Sequence, residues 1–341
     1  MAELIRRIKD VDFEEVSGLF EQGNSVEELL WLFADPNDST KYNAFVVVDI
    51  KNDIIVGVIG YELSRYTQFG REIIGVLPFS WKLKPGYKGF AGVSLYKEVS
   101  KLGEIGVNIG SSEIAKKISL LFKYKSSIQF DKYYKILNTF NFFLYFKNKD
   151  LIKSLAKYLY LVPSYFFRLS KLFLDKNISL TPYDGNNFVK EKEFKNIFKK
   201  EITKNYINWL LDCPIVKTYA FVIKKEDESL GICVLNIKKD RNLFIGRIVH
   251  LPFLGYDKKV WISVIEKCLI FLKGKGCCVV SGIAIDEMGQ KGYSKSGFIR
   301  IKKLHKPILI KDVDKKITEF NIYNWHFQFS EGDISIRNFS I

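Results

Sequence analysis

The sequence predicts an α/β protein of the α+β type, built as two tandem domains, each a mixed, mostly antiparallel sheet flanked by helices. Three observations carry this expectation. The chain has 341 residues, too many for one ordinary core and suited to two domains of about 150 residues each. Hydrophobic residues make up 47% and aromatic residues 15%, enough to fill two cores. An ordered series of sequence features also occurs twice.

Each copy of the series opens with a Trp five residues ahead of a Pro, in ELLWLFADP (28–36) and in NWLLDCP (208–214). The Trp stands in a helical pattern that the Pro ends. Tyr42 then opens the apolar run AFVVVDI, and Tyr219 opens AFVIK. A polar turn follows, Asn52-Asp53 or KEDES, and then a strand with a Gly inside it, Gly57 or Gly231. Next comes a strand ending in a Pro-containing stretch, GVLPFSWKLKP (75–85) or LFIGRIVHLPF (243–253). A short loop leads to the helical patterns VSLYKEVSKLG and VWISVIEKCLIFLKGKG; in the second, Val264, Cys268, Phe271 and Leu272 recur at helical spacing. The runs EIGVNIG and CCVVSGIAI read as buried strands, and SSEIAKKISLLF and EMGQKGYSKSGF as further helices. Strands alternating with helices exclude a bundle and an all-β sandwich. The expected division is a first domain over 1–147, a helical connector over 148–177 broken at Pro163, and a second, degenerate domain over 178–341. Lys153, Lys157, Arg168 and Lys171 flank aromatics in the connector, so a surface-binding amphipathic stretch is its second reading.

The formal net charge is +15. That fits a Lys-rich solvated surface or a polyanionic partner. The Lys residues spread along the whole chain, which argues against a dedicated nucleic-acid face, and no nucleic acid is expected. Cys213, Cys233, Cys268, Cys277 and Cys278 show no metal-ligand spacing, and His250, His305 and His326 are scattered, so no metal site is expected. Five thiols, an odd number, suggest a reduced, cytoplasmic setting. MAELIRRIKDVD has no apolar core of a signal peptide, and the longest apolar stretches, 137–146 and 158–167, are too short for a membrane span.

WKLKPGYKGFAGVSL (81–95) is the most chemical stretch. A strand stops at Pro85 and the chain turns into a helix through small residues at Gly89, Ala91 and Gly92. Backbone can approach a ligand closely there, and the first N–H groups of the helix lie at the positive end of its dipole. This is an anion site suited to a diphosphate.

YKGFAGVSL resembles the phosphate-binding turn of the GNAT acyltransferase family, with Lys88 in the Arg/Gln place, Ala91 in the first Gly place and Val93 in the second. A shift of one residue would use Gly89 and Gly92 instead. The family's next signature, Asn-x-x-Ala-x-x-Leu-Tyr followed by Gly-Phe, is met in the first half by Ser112, Ala115, Ile118 and Ser119, with Lys123-Tyr124 in place of Gly-Phe. In the second half it is met by Asp286, Gly289, Gly292 and Tyr293, with Gly297-Phe298 intact. The tandem arrangement is similar to GNAT-like proteins of bacterial surface-polysaccharide loci, which carry a similar Trp-helix and a similar segment to NWHFQFSEGD (324–333).

The resemblance implies transfer of an acyl group from acetyl-CoA or another acyl-CoA to an amine. Leu83 would meet the pantetheine arm, and Lys88, Gly89, Phe90, Ala91, Gly92 and Val93 would cradle the diphosphate, with Ser112 beside them. The first half keeps the phosphate turn, whereas GYDKKVW (255–261) has lost its small residues, so the carrier is expected in the first half. Glu62 and His250 are the candidate bases and Tyr293 the candidate thiolate acid. The implied partner is a small-molecule amine, an amino sugar on a nucleotide carrier or on a glycan. Alternatives are a Fem-type aminoacyl transferase, a non-catalytic binding module and a membrane-surface scaffold.

Overall fold

Trp31 and Trp209, the marks of the repeat, lie face to face, with ring centroids 4.5 Å apart and planes within 4°. Each indole N–H donates to the other residue's carbonyl, Trp31 Nε1 to Trp209 O at 2.8 Å and Trp209 Nε1 to Trp31 O at 2.9 Å. The repeated motif therefore pairs with itself across a local two-fold relation between the halves.

The computed structural model describes residues 3–20, 24–68, 70–87, 90–109, 112–139, 174–194, 196–240, 243–301, 307–312 and 325–329. The predicted connector up to residue 173 lies outside them, as do Lys88 and Gly89.

The first half runs β1 (Glu3–Arg7), α1 (Phe13–Ser17), α2 (Val26–Phe33), a small hairpin of β2 (Ala34–Asp35) and β3 (Asp38–Tyr42), β4 (Ala44–Asp49), β5 (Ile54–Gln68), β6 (Arg71–Leu83), α3 (Phe90–Val99), β7 (Ile105–Ile109), α4 (Glu113–Leu121), β8 (Lys125–Gln129) and β9 (Asp131–Ile136). The second runs β10 (Ile178–Pro182), β11 (Phe198–Lys200), α5 (Lys204–Leu211), β12 (Lys217–Lys225), β13 (Glu228–Asp240), β14 (Leu243–His250), α6 (Lys258–Gly274), β15 (Cys277–Ala284), α7 (Glu287–Lys295), β16 (Ile299–Ile301), β17 (Pro307–Asp312) and β18 (Trp325–His326).

The same local chemistry builds the same elements twice. Ser25 caps α2 by accepting from Glu28 N, and Thr203 caps α5 by accepting from Tyr206 N. Leu29, Leu32 and Phe33 bury one face of α2; Tyr206, Ile207 and Leu210 do so for α5. Asp53 (φ 50°) and Glu226 (φ 55°) take the left-handed conformation that closes the β4–β5 and β12–β13 hairpins. One detail differs from the sequence reading: Tyr42 ends the β2–β3 hairpin, which places Pro36 in its turn, and β4 begins at Ala44.

The first sheet has the order β1-β4-β5-β6-β7-β17-β8, and the second β10-β12-β13-β14-β15-β9-β16. Each sheet thus takes its penultimate strand from the other half. β9 pairs antiparallel with β15 from Val279↔Ile136 to Ala284↔Asp131, and β17 pairs with β7 from Ile308↔Ile109 to Asp312↔Ile105. β11 joins the far end of β5 through Lys200↔Tyr66, and β18 adds to β11 in parallel. One apolar cluster holds Tyr66, Leu77, Ile105 and Val107 of the first half against Phe198, Ile207, Val222, Ile283 and Trp325 of the second. Separate clusters lie under α1 and α2, under α3 and α4, and under α6.

The Trp pair is a direct test of this interface. Trp31→Ala and Trp209→Ala should each cost about 3 kcal/mol. The double variant should cost less than their sum, because either single change already removes the whole stack, while each removes only its own indole's hydrogen bond to the other backbone carbonyl. Urea unfolding of the three variants checks this.

Candidate acyl-carrier cleft

β6 and β7 run parallel but pair only at Gly75↔Ile105 and Val76↔Gly106. Among the described residues, β6 beyond that point pairs only with β5, from Glu62↔Leu77 to Gly57↔Leu83, and Val107 to Ile109 pair only with β17. The arms diverge into a V. On the β6 arm the register to β5 shifts between Val58 and Gly60, and Ser80 takes φ 49°. Such a bulge bends a strand and re-aims its backbone.

α3 begins beside the open end of the V. Phe90, its first residue, is 79% exposed, while Ala91 and Gly92 are buried. A Cβ on Gly92 would come 2.9 Å from Trp81 Cζ2 and 3.0 Å from Leu83 Cδ1, so only Gly lets α3 sit this close to β6. Tyr87 secures the approach by donating to Asp49 Oδ2 at 2.9 Å. Of the predicted carrier residues, Leu83 ends β6, Phe90 to Val93 form the first turn of α3, and Ser112 caps α4 by accepting from Ala115 N.

Behind the V lies a polar knot that sequence reasoning missed. Ser119 donates to Ala115 O at 2.8 Å and accepts from Asn108 Nδ2 at 2.7 Å; the Tyr96 hydroxyl lies 2.8 Å from Ser119 Oγ. The Tyr96 ring, from α3, is 5.5 Å from that of Trp81 on β6, so it touches groups on both arms. Burial pushes the Tyr96 phenol up, which keeps it protonated. The position where the family signature carries Tyr holds Ser119, and a phenol comes to it from α3 instead.

Glu62 lies opposite Leu77, one residue past the end of the β6–β7 ladder, and so adjoins the apex of the V. It is buried, ion-paired with Lys200 of β11, and accepts from Ser64 Oγ. Lys200 Nζ stands 3.8 Å over the Tyr206 ring. On the other side of this strand, Lys199 Nζ meets Glu191 Oε2 at 2.8 Å, and Glu191 Oε1 lies 2.6 Å from His250 Nε2. Burial would raise the Glu191 carboxyl, but His250 and Lys199 hold it well below the usual carboxylate range. Burial lowers the His250 imidazole.

The second half has its own V, after Arg247↔Ser281 of β14 and β15, and the chain fills it. Trp325 to Phe329 are all buried. His326 Nε2 lies 2.6 Å from Leu251 O, just past β14, and Nδ1 lies 3.1 Å from Asp286 Oδ2, just past β15. The rings of Phe253 and Trp261 pack edgewise on the imidazole. At the predicted turn 255–261, Asp257 caps α6 through Lys259 N. Tyr293 is wholly buried, stacked on Tyr133 at 5.2 Å and lying over Gly282, where a Cβ would come 2.4 Å from its ring. The structure therefore brings Glu62, Leu83 and Phe90 to Val93 around one V, and places His250 and Tyr293 around the other.

Among the described residues no group of three or more His, Cys, Asp or Glu could hold a metal ion, and no helix is long and apolar enough to cross a membrane.

No family model matches the sequence, and no curated protein does. Solved structures match in fold. A GCN5-related N-acetyltransferase from Anabaena variabilis aligns with a TM-score of 0.58 at 11% identity, over 92% of this chain and 73% of that one. Saccharomyces cerevisiae N-myristoyltransferase, solved with bound myristoyl-CoA, aligns at 0.57 and 11%, over 92% and 79%. An Enterococcus faecalis protein described as a probable N-acyltransferase aligns at 0.56 and 7%, over 91% and 73%. The chain thus has the fold of these GNAT-type and N-myristoyltransferase structures over nine-tenths of its length.

Lys200→Met should cost about 3–5 kcal/mol, because it leaves the Glu62 charge buried without its cation. Glu62→Leu combined with Lys200→Met should recover much of that in urea unfolding. His326 gives a pH-dependent test. Burial disfavours its charge, but the hydrogen bond and charge of Asp286 outweigh this and raise its pKa. The stabilisation is then full below the unfolded value of about 6.5 and is lost as pH rises through the higher folded value. His326→Asn should cost more stability at about pH 5.5 than at about pH 9, read by urea unfolding at both.

Proposed function

We propose that the chain is an acyl-CoA-dependent N-acyltransferase that works in its first half. The observation carrying this reading is the parallel strand pair that parts after Val76↔Gly106 beside the start of α3. Diverging backbone arms offer ladder groups to a pantetheine chain, and a helix N-terminus offers N–H groups and positive potential to its diphosphate. The filled second V supports a structural role for the second half. The solved relatives include proteins described as N-acetyltransferases and one with bound myristoyl-CoA, which favours the same carrier class.

In this reading an amine nitrogen attacks the thioester carbonyl carbon and the carbon–sulfur bond breaks. Ser64 takes the amine proton and passes its own to Glu62, to which it already donates. Tyr96 supplies its phenol proton to the departing sulfur. His250 and Tyr293 serve the packing of the second half. The acceptor we infer is an amino sugar, carried on a nucleotide or on a glycan, in surface polysaccharide synthesis. The net charge of +15 suits substrates that bear diphosphates.

Phe90→Glu tests the carrier site. A carboxylate in the first turn favours the helix dipole, so the melting temperature should hold or rise, whereas acetyl-CoA binding by isothermal titration should weaken about tenfold or more. Native protein that binds no acyl-CoA would overturn the reading.

A further inference from the structure

The edge of β5 that faces away from β6 is covered in two pieces. β4 and the residue before it follow that edge as far as Tyr61, whose N–H donates to Asn43 O at 2.8 Å. β11 and the residue after it take the edge up again at Arg65, whose carbonyl accepts from Glu201 N at 2.7 Å. The stretch from Tyr61 to Arg65 spans about 13 Å of strand. A cavity of about 360 Å³ opens in it, lined by Leu63, Ser64 and Arg65 on the strand and by Thr203 and Tyr206 at the start of α5. Successive side chains of a strand point to opposite faces, so a cavity that touches three residues in a row runs along the edge itself.

The direction of the backbone groups at this edge follows from their neighbours. The N–H and C=O of one strand residue point to the same side, and the side alternates along the chain. Tyr61 and Arg65 point theirs away from β6, so Leu63 between them does the same. β6 agrees, because Ile74, opposite Arg65, turns its carbonyl to Glu104 N on the β7 side. Among the described residues, the N–H and C=O of Leu63 have no hydrogen-bond partner. Backbone polar groups call for a complement, and an unpaired strand edge is a template for another chain.

Few ligands complete both groups at once. A single trans amide directs its N–H and its C=O to opposite sides and so satisfies one of the two. One residue of an extended peptide carries both on one side and satisfies both. A strand held in the sheet of a second copy has no room to enter, since Asn43 and Glu201 stand at the two ends of the gap. A loose segment can cross it.

We infer that this gap binds an extended peptide by strand addition, with one residue opposite Leu63. That residue shares a face with Leu63, Arg65 and Ile74, so an apolar side chain suits it. The residues on either side of it share the face of Ser64 and Lys200, where small hydroxyl side chains suit. Val76, opposite Leu63, is the last residue of β6 paired with β7, so the bound peptide lies level with the apex of the V. The inference stands apart from the transferase reading, which uses no backbone group of this edge.

The test titrates the full chain with N-acetyl-Ser-Val-Ser-amide at millimolar concentration, by isothermal titration. N-methylation of the Val nitrogen removes the donor to Leu63 O and should weaken binding about tenfold or more. The nitrogen of the last Ser points away from β5, so its N-methylation should weaken binding less than about threefold. Leu63→Pro removes the strand's own donor where it serves no ladder, which an edge position tolerates, and should also weaken the peptide about tenfold or more. Absence of binding by the parent peptide, equal effects of the two methylations, or undiminished affinity in Leu63→Pro overturns the inference. The methylated pair decides it on native protein should the proline variant fail to fold.

Discussion

A strand can leave its neighbour only if its other edge remains paired, and that constraint organises this molecule. Val107, Asn108 and Ile109 turn away from β6 without stranding their backbone groups because β17 holds them on the far side. β5 does the same for Leu77 to Leu83 on the other arm. The V is therefore the product of two well-paired outer ladders. One of the outer strands comes from the opposite half of the chain, so the opening in the first half depends on a segment of the second. β9 repays the arrangement by pairing with Gly282, Ile283 and Ala284 beside the second V.

The two copies share a skeleton and diverge where chemistry would occur. Seven residues into α4 and α7 stand Ser119 and Tyr293, and four residues before each cap stand Asn108 and Gly282. The pairs compensate in volume. A large ring covers a glycine in the second half, while a small hydroxyl meets an amide in the first, with Tyr96 taking up the space. β11 divides its charges by the alternation of a strand. Lys199 neutralises an acid of the second half and Lys200 one of the first. One short strand thus holds the electrostatics of both sides.

Much of the skeleton was legible because period and punctuation are local. The Trp helices, the Gly-bearing strands and the helices within VSLYKEVSKLG, SSEIAKKISLLF and EMGQKGYSKSGF all follow from spacing. Glu62 was legible as a carboxylate on a strand beside the turn, but its cation was not, since Lys200 lies 138 residues away. The exchange of β9 and β17 left no mark in the pattern, because a buried strand reads alike in either sheet. Tyr96 was hidden by the apolar face of α3, where an aromatic is ordinary core. The Trp-to-Pro repeat signalled duplication but carried no hint that the two Trp would meet.

The exchange also sets an order in time. A chain made from its N-terminus emerges with β7 and β8 long before β17, which begins at Pro307. Until then β7 and β8 lack the strand that lies between them, and an edge of each is unpaired. Open edges of this kind invite pairing with other chains. The first half, which carries the diverging arms, is thus begun before the second and closed only after the strands of the second sheet have been made, and the cleft cannot exist until Asp312 has left the ribosome.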